Sequence, residues 1–238
     1  MRFPGVYPLF EREMEKYNTV WIISDLHFRD KELKQAFPNR PSDEELVKLI
    51  NASVGKKDLL IILGDCGDVS YIAKLRGEKW LILGNHDAGA SNYERKYDNI
   101  PYSKSKYTKD QVKEIVKQNY SNYNCNIEYN DSYWIVKIDN KLIDPHFIFT
   151  GPIVIGEKLI LSHEPVDVDW AMNIHGHNHN SKRNDENHYN CCLDSCGYKP
   201  LNFNQFLKSG KTAHIKSLHR DIIDTATERK KRRKVNFV

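Results

Sequence analysis

The stretch from Thr19 to Phe28 reads TVWIISDLHF. Its apolar run, from Val20 to Ile23, is rich in β-branched side chains and predicts a buried strand. Asp25 and His27 follow this run one residue apart, so both project from the carboxyl end of the strand. Open α/β sheets bind their ligands at that edge. The stretch therefore predicts a strand that delivers two metal-binding side chains to the functional edge of a sheet.

The same arrangement recurs further along the chain. Residues 58–63 (DLLIIL) run into Gly64-Asp65, and residues 79–83 (KWLIL) run into the sequence GNHD at 84–87. A capping box formed by Ser42 and Glu45 opens a predicted helix between the first two strands. The apolar face predicted for this helix comprises Leu46, Leu49, Ile50 and Val54. Strands that alternate with helices predict parallel pairing and an α/β fold.

Two later strands also end in histidine. Residues 158–161 lead to His163, and residues 171–174 lead into the sequence HGHNH at 175–179. The strand ends together supply eight candidate site residues, namely Asp25, His27, Asp65, Asn85, His86, His163, His177 and His179. Two Asp, one Asn and four of the five His make seven ligands, enough for two divalent cations if one carboxylate bridges them. This mixture of donors suits manganese, iron, cobalt, nickel or zinc better than magnesium alone.

A site for two such cations indicates an enzyme that hydrolyses phosphoric esters. A pair of ions clamps the attacking and leaving oxygens of an in-line displacement and makes hydroxide available near neutral pH. The fifth histidine, His86, is then left as a proton donor or charge stabiliser for the leaving group. Asp87 is predicted to orient the His86 imidazole, as carboxylates beside metal-site histidines do.

The order of these motifs, D-x-H, GD, GNHD, a lone strand-end His and GHNH, resembles the calcineurin-like metallophosphoesterase superfamily from Thr19 to about Phe206. The closing pattern at 188–201, HYNCCLDSCGYKPL, is similar to that of a compact bacterial and phage phosphoesterase family of unassigned substrate. The second motif lacks the Arg-Gly that protein Ser/Thr phosphatases have, and GNHD replaces their GNHE. A protein phosphatase is therefore disfavoured.

The resemblance implies a four-layer αββα sandwich with two β-sheets packed face to face. It also implies two metal sites with a bridging Asp65, and it makes His86 the catalytic histidine. By the same resemblance, the first ion is held by Asp25, His27 and His179, and the second by Asn85, His163 and His177. The Gln or Cys substitutions that mark non-catalytic relatives are absent from these positions.

The chain is predicted to form one domain over residues 1–224, with an insertion at about 93–144 and a basic, disordered tail at 225–238. The insertion is rich in Tyr and Asn, and we expect a loosely ordered surface segment whose two ends lie near the metals. The tail holds RKKRRK at 229–234, preceded by a modest helix with Ile215, Leu218 and Ile222 on one face. Without those six positive charges, the net charge of +4 becomes −2, so the basicity lies in the tail.

The predicted partner is a small phosphoester or nucleotide-like substrate, with nucleic acid as a possible partner of the tail. Manganese is the metal preferred for the two predicted ion sites, with iron, zinc, nickel or cobalt as alternatives. A nuclease is the first alternative, with a basic, aromatic groove built from Tyr102, Lys104, Lys106, Tyr107, Lys109 and Lys113. A metal-binding scaffold without catalysis is the second. The oligomeric state is left open.

Other polar residues are predicted to be structural. His146, His175 and His188 are expected to be hydrogen-bonded, and Asp68 either caps a helix or supports the metal ligands. The five cysteines are expected to lie in a reducing compartment rather than to form a disulfide framework. Cys191, Cys192 and Cys196 are expected to be core residues. No apolar run is long enough for a membrane span, and we expect a soluble, cytoplasmic protein.

Overall fold

The computed structural model describes residues 9–87, 97–120, 124–139, 147–156, 158–180, 184–216 and 225–228. The helices are α1 (Leu9–Met14), α2 (Lys31–Ala36), α3 (Asp43–Ser53), α4 (Val69–Ile72), α5 (Lys109–Asn119), α6 (Leu193–Cys196) and α7 (Phe203–Lys208). The strands are β1 (Val20–Ile23), β2 (Leu59–Ile62), β3 (Glu78–Ile82), β4 (Tyr97–Ser103), β5 (Asn124–Tyr129), β6 (Tyr133–Asp139), β7 (Phe147–Phe149), β8 (Ile153–Ile155), β9 (Leu159–Leu161), β10 (Met172–His175), β11 (His188–Asn190) and β12 (Leu201–Asn202).

The first sheet has the strand order β12-β1-β2-β3-β7. The strands from β1 to β7 are parallel, whereas β12 pairs with β1 in the antiparallel direction. Ile23 pairs with Ile62, so β1 and β2 end level with each other, and β3 ends one residue further on. The predicted parallel pairing is confirmed, and it brings the first three polar motifs to one edge.

The second sheet has the strand order β11-β10-β9-β8. β9, β10 and β11 are parallel, and β8 is antiparallel to β9. Leu161 pairs with Ile174, so His163 and the GHNH motif leave this sheet from adjacent strand ends.

Two hydrophobic cores lie on opposite faces of the first sheet. Val20 and Ile22 point into a core that also contains Leu161 and Ile174 of the second sheet. Ile23 points the other way, into a core shared with α3 and α4. This arrangement confirms an α/β fold with helix, sheet and sheet in layers. The fourth layer of the predicted sandwich is not found in the described ranges and stays a prediction.

Helix α3 has the predicted N-terminus. Ser42 and Glu45 form both hydrogen bonds of the capping box. Leu46, Ile50 and Val54 are buried as predicted, but Leu49 is 39% exposed, so its placement on the buried face was wrong. Residues four apart form the stripe that faces the sheet, and Leu49 lies at its margin.

The insertion contains regular structure within its described residues. β4, β6 and β5 form an antiparallel sheet, and α5 packs on it through Val112. Val136 and Ile138 complete a small buried core. The expectation of a loosely ordered segment was therefore wrong, because half of the side chains that alternate along β6 are apolar and need a partner.

The described residues that flank the insertion lie at different heights on the first sheet. Asp87 follows β3 at the carboxyl edge, whereas Phe147 pairs with Trp80 rather than with the last residue of β3. Because β3 and β7 are parallel, Phe147 lies on the amino side of the sheet edge. The ends of the insertion itself, at about 93 and 144, lie outside the described residues. The expectation that both ends lie near the metal ligands therefore stays a prediction.

Ile215 is buried in the core between the sheets, but it lies in a non-helical segment, so the predicted helix does not include it. Residues 217–224, with Leu218 and Ile222, lie outside the described residues. The basic run at 229–234 lies outside them as well. Within the described part of the chain, no helix has the length and apolar character needed to cross a bilayer.

Candidate metal centre

Four candidate ligands occupy an unusual backbone conformation at the strand ends. Asp25, His27, Asp65 and His177 have φ angles of 60°, 42°, 52° and 67°. Residues other than glycine rarely enter this left-handed region, and each such residue costs roughly 1–3 kcal/mol. The sharp turns point the side chains toward a common space above the sheet edges. Strain of this kind is concentrated at functional sites.

Two glycines of the motifs are required by close packing against the ligands. A Cβ atom on Gly84 would lie 2.2 Å from Oδ1 of Asp65, and one on Gly176 would lie 2.4 Å from Oδ2 of Asp25. Both distances are far below van der Waals contact. The carboxylates therefore rest directly on the backbone of the neighbouring motif.

The first group of ligands joins β1 to the GHNH motif. Ligand atoms of Asp25, His27 and Asp65 lie within 4.8 Å of one another, and these three side chains are buried. Nε2 of His179 lies 3.5 Å from Oδ1 of Asp25. Both oxygens of Asp25 also accept hydrogen bonds from the backbone N–H of His177, which fixes the carboxylate against the last motif.

The second group lies beside the first. Oδ1 of Asn85 is 2.8 Å from Nε2 of His163 and 3.1 Å from Nδ1 of His177. The two imidazole nitrogens are 3.2 Å apart. Three ligand atoms from β3, β9 and β10 therefore converge on one position.

Asp65 joins the two groups through a single oxygen. Its Oδ2 lies 3.4 Å from Nε2 of His27 and 3.3 Å from Nε2 of His163. Burial opposes ionisation of the carboxyl, but the close contacts with the His163 and His27 imidazoles outweigh it and hold the pKa of Asp65 far below its usual range. A carboxylate that stays charged between two ligand groups is what a bridge requires.

Three of the histidines present the same nitrogen to the centre. Nδ1 of His27 lies 3.1 Å from Oδ2 of Asp30, Nδ1 of His163 lies 2.8 Å from the carbonyl oxygen of Leu63, and Nδ1 of His179 lies 2.7 Å from an Asp194 oxygen. Each of these oxygens can only accept, so Nδ1 carries the proton in the neutral ring. The Nε2 lone pair then points into the centre.

Those lone pairs face oxygen atoms, an arrangement that requires a positive charge between them. Nε2 of His27 is buried without a hydrogen-bond partner. Burial lowers the pKa of His27 and of His163, but the Asp65 carboxylate raises both by more, so the pKa of each lies above that of free histidine. Without a cation, protons supply the positive charge. The residues therefore fit divalent metal ions, which bind neutral imidazole and carboxylate.

His86 and Asp87 differ from the other motif residues. The His86 side chain is exposed, and its ring centroid lies 5.3 Å from that of His27. Its backbone N–H donates to Oδ1 of Asp65. Asp87 accepts hydrogen bonds from the backbone N–H groups of Gly84, Asp65 and Cys66, at 2.8, 2.9 and 3.0 Å. These contacts make it an anchor between the GD and GNHD turns, in addition to any effect on the imidazole.

Sequence reasoning missed three residues that support the centre. Asp30 and Asp194 hold Nδ1 of His27 and His179, and Asp30 also caps α2. Buried Arg40 pairs with Asp194 and donates to the carbonyl oxygens of Asp25 and Leu26. A capping Asp three residues after His27 is a signal in the sequence. The contacts of Arg40 and Asp194 depend on tertiary structure and leave no local pattern.

The predicted structural residues mostly behave as expected. His175 and His188 are buried and hydrogen-bonded, and Asp68 caps α4 through the N–H of Ser70. His146 lies outside the described residues. None of the five cysteines, all of them in the described ranges, forms a disulfide.

The thiol of Cys192 lies close to ligand atoms of Asp25 and His179 and is therefore a further potential metal ligand. Burial raises the pKa of its thiol well above the usual range, and the nearby Asp25 charge adds to this effect. A thiol that keeps its proton is a poor ligand. The predicted role in the core therefore agrees with its burial.

Comparisons with known proteins show one family and one distant structure. The sequence model of the calcineurin-like phosphoesterase family matches residues 19–200. No curated protein matches the chain significantly. A solved structure, the protein of unknown function AQ665 from Aquifex aeolicus, is 18% identical with a TM-score of 0.49, and the alignment covers 80% of this chain and 98% of that one.

Proposed function

The chain belongs to the calcineurin-like phosphoesterase family, and from this premise we propose that it hydrolyses phosphoric esters with two divalent metal ions. The observation that carries the proposal is the position of one Asp65 oxygen, 3.4 Å from Nε2 of His27 and 3.3 Å from Nε2 of His163. A charged oxygen between two imidazoles that each need a cation supports a pair of ions rather than one.

Each ion has its own group of ligands in this proposal. Asp25, His27 and His179 hold the first ion, Asn85, His163 and His177 hold the second, and Asp65 contributes to both. When bound, the ions supply activated water and neutralise negative charge on the phosphoryl group. Manganese remains our preferred metal, with iron, zinc, nickel and cobalt as alternatives.

The protein's own residues fix the geometry of this reaction. Asp30, Asp194 and the Leu63 carbonyl oxygen hold three imidazole rings in the tautomer that leaves Nε2 free. Asp87 locks the GD and GNHD turns together through three backbone hydrogen bonds. Preorganised groups of this kind need no rearrangement during the reaction.

His86 is the proposed proton donor to the leaving group. Its imidazole is exposed beside His27, while its backbone is tied to Asp65. A side chain that reaches solvent at the rim of the centre can give its proton to a departing alkoxide. Asp87 positions this turn.

The proposed substrate is a small phosphodiester or a nucleotide-like ester. The chain outside 229–234 has a net charge of −2, which favours a small substrate over a long polyanion. We place the reaction in a reducing compartment, with the cytoplasm as the first choice, because no disulfide joins any of the five cysteines.

A panel assay tests this function. Phosphomonoesters, phosphodiesters, cyclic nucleotides and single-stranded DNA would each be supplied with Mn, Ni, Zn and Mg in turn. We expect turnover of a small diester with at least one of the four metals. Turnover should be lost in Asp65→Asn and retained in Asp185→Asn, which alters a His–Asp pair that includes no candidate ligand. Stable binding of two ions with no turnover in the whole panel would support the scaffold instead.

A nuclease remains the second candidate because of one surface on the insertion. Lys104 Nζ lies 5.0 Å from the Tyr129 ring centre and 4.8 Å from that of Trp134, and Tyr129 is 69% exposed. Exposed aromatic rings with nearby cations stack nucleic-acid bases. Binding of single-stranded DNA that weakens steeply with salt, and that Tyr129→Ala reduces, would favour this candidate.

A further inference from the structure

A cavity of about 300 Å³ opens beside the second ligand group. Asn85 and His163 form part of its wall, so it is continuous with the metal centre. The volume lies at the lower end of the range for small-molecule pockets, which is about 300–1,000 Å³. An ester group on a phosphorus atom at the centre could therefore extend into it.

The wall that follows β9 is held in one conformation. The fully buried Asn173 side chain accepts from the N–H of Val166 at 2.7 Å and donates to Ser162 Oγ at 2.8 Å. Ser162 in turn donates to the carbonyl oxygen of Glu164 at 2.6 Å. A pocket with such a wall is formed before the ligand arrives, so little ordering cost opposes binding.

The chemistry of the wall selects against further negative charge. Leu83, Pro152, Pro165 and Val166 give it apolar surface. Among the described residues that line it, none is Lys or Arg, and Glu164 is the single carboxylate. A second phosphate here would meet no compensating cation and would be repelled by Glu164. An uncharged organic group would bury apolar surface without that penalty.

The position of the cavity indicates which ester group it receives. His86, the proposed donor to the leaving group, lies beside His27 of the first ligand group. The cavity lies beside Asn85 and His163 of the second. We propose that the cavity binds the ester group that stays on phosphorus, and that this group is uncharged and about the size of a nucleoside. The proposal rests on the phosphoesterase function proposed above and defines its substrate class.

Gly151 offers a direct test. A Cβ atom built on this residue meets nothing within 4 Å, and its φ is not in the left-handed region, so a larger side chain can enter the cavity without backbone strain. The substrates are the p-nitrophenyl diesters of methanol and of thymidine at O5′, which share a leaving group. Gly151→Phe should lower kcat/KM for the thymidine diester by about 10-fold or more. The methyl diester and the Gly151→Ala control should change little.

Glu164 tests the charge selectivity without filling the cavity. Its side chain is exposed, so substitution leaves the core intact. A thymidine diester with an added 3′-phosphate should be a poorer substrate than the parent for the wild-type protein. Glu164→Lys should improve kcat/KM for the phosphorylated substrate relative to the parent, and Glu164→Gln should lie between the two.

A binding measurement separates this proposal from the phosphoesterase function. Calorimetric titration of the metal-loaded protein with thymidine 5′-methylphosphonate and with inorganic phosphate requires no turnover. Gly151→Phe should weaken the thymidine compound alone. Equal effects on both ligands, or none on either, would overturn the cavity assignment even if the diesters are hydrolysed. Selective weakening without hydrolysis of any ester would leave the cavity as a ligand site and would contradict the proposed function.

Discussion

The Asp194 carboxylate lies 2.7 Å from Nδ1 of His179. Asp194 follows β11, and His179 follows β10, so two separate segments meet in this contact. The carboxylate is almost completely buried and also pairs with Arg40. One buried side chain therefore fixes the tautomer of a candidate ligand and joins it to the turn that carries Asp25.

Replacing Asp194 should weaken metal binding. Asp194→Asn removes the charge that holds the His179 ring, and loss of such a partner typically reduces metal affinity about 10–100-fold. Asp185→Asn is the matched control, because Asp185 holds Nδ1 of His188 at 2.8 Å and His188 is not a candidate ligand. Titration of each variant with Mn measures the affinity. If Asp194→Asn lowers the free energy of unfolding but leaves metal affinity unchanged, its role is structural.

Asp65→Asn should remove both ions together. One Asp65 oxygen faces both ligand groups, whereas Asp25 faces the first group alone. The Asn amide keeps the size of the side chain but not its charge. Metal content per chain, measured by elemental analysis after dialysis, should fall further in Asp65→Asn than in Asp25→Asn. Equal partial losses in the two variants would argue against a bridge.

His86→Asn should retain the metals and lose turnover. Positioned acid catalysis contributes about 10²–10⁴-fold, and this loss should grow with the pKa of the leaving group. A nitrophenolate leaves without a proton, whereas an alkoxide needs one. His177→Ala is the comparison, because it should lower metal content along with rate. A uniform deficit for every leaving group would show that His86 does not donate the proton.

The metal-free protein should become less stable as the pH rises above about 6.5, the ordinary pKa of histidine. Folding raises the pKa of His27 and of His163 through the Asp65 carboxylate. A raised folded-state pKa stabilises the protein fully below the unfolded pKa, and this stability is lost as the pH rises through the folded value. Urea unfolding in a chelator across this window measures the effect.

In the presence of metal, the stability of the protein should instead increase with pH over this window. Ions compete with the protons on the two rings, so metal affinity should increase over the same window. His27→Asn should reduce the pH dependence of the unfolding free energy measured in chelator. His188→Asn should not, because His188 lies outside the centre. A metal-free stability that rises with pH here would contradict the assigned contacts.

Removing the insertion should spare the metal ligands. Its described part has its own buried residues, including Val112 and Val136. Replacing residues 93–144 with a short Gly-Ser loop should therefore leave metal content unchanged. We expect substrate preference to change more than hydrolysis of a small generic diester, because only a few residues separate the start of the insertion from Asp87 of the GNHD motif. A parallel fall in both activities would show that the segment is structural.

The sequence predicts the strand ends of this protein because each strand carries its own signal. An apolar run followed by Asp25, Asp65 or Asn85 is local, and parallel pairing then requires that these ends meet. The capping box at Ser42 is equally local, and it forms as predicted. A second capping box, at Thr108, has the same local pattern but was not predicted.

Features that depend on distant partners could not be predicted in this way. β12 has two residues, too few for any periodicity, and its partner is the first strand of the chain. β4 contains Pro101, which disfavours a strand except at a sheet edge, and β4 lies at such an edge. The support that Asp194 gives to His179 likewise exists only after β10 and β11 are in place.

The contacts of Arg40 constrain the order in which parts of the fold can form during translation. Its guanidinium needs Asp194, while the strand that carries Asp25 needs Leu201 and Asn202 at its outer edge. A ribosome adds residues one at a time, so the first ligands emerge long before the segment that completes their surroundings. Contacts this distant in sequence form slowly. The surroundings of the Asp25 turn can therefore be completed only after Asp194, Leu201 and Asn202 have been synthesised, so the candidate metal centre is among the last parts of the domain to assemble.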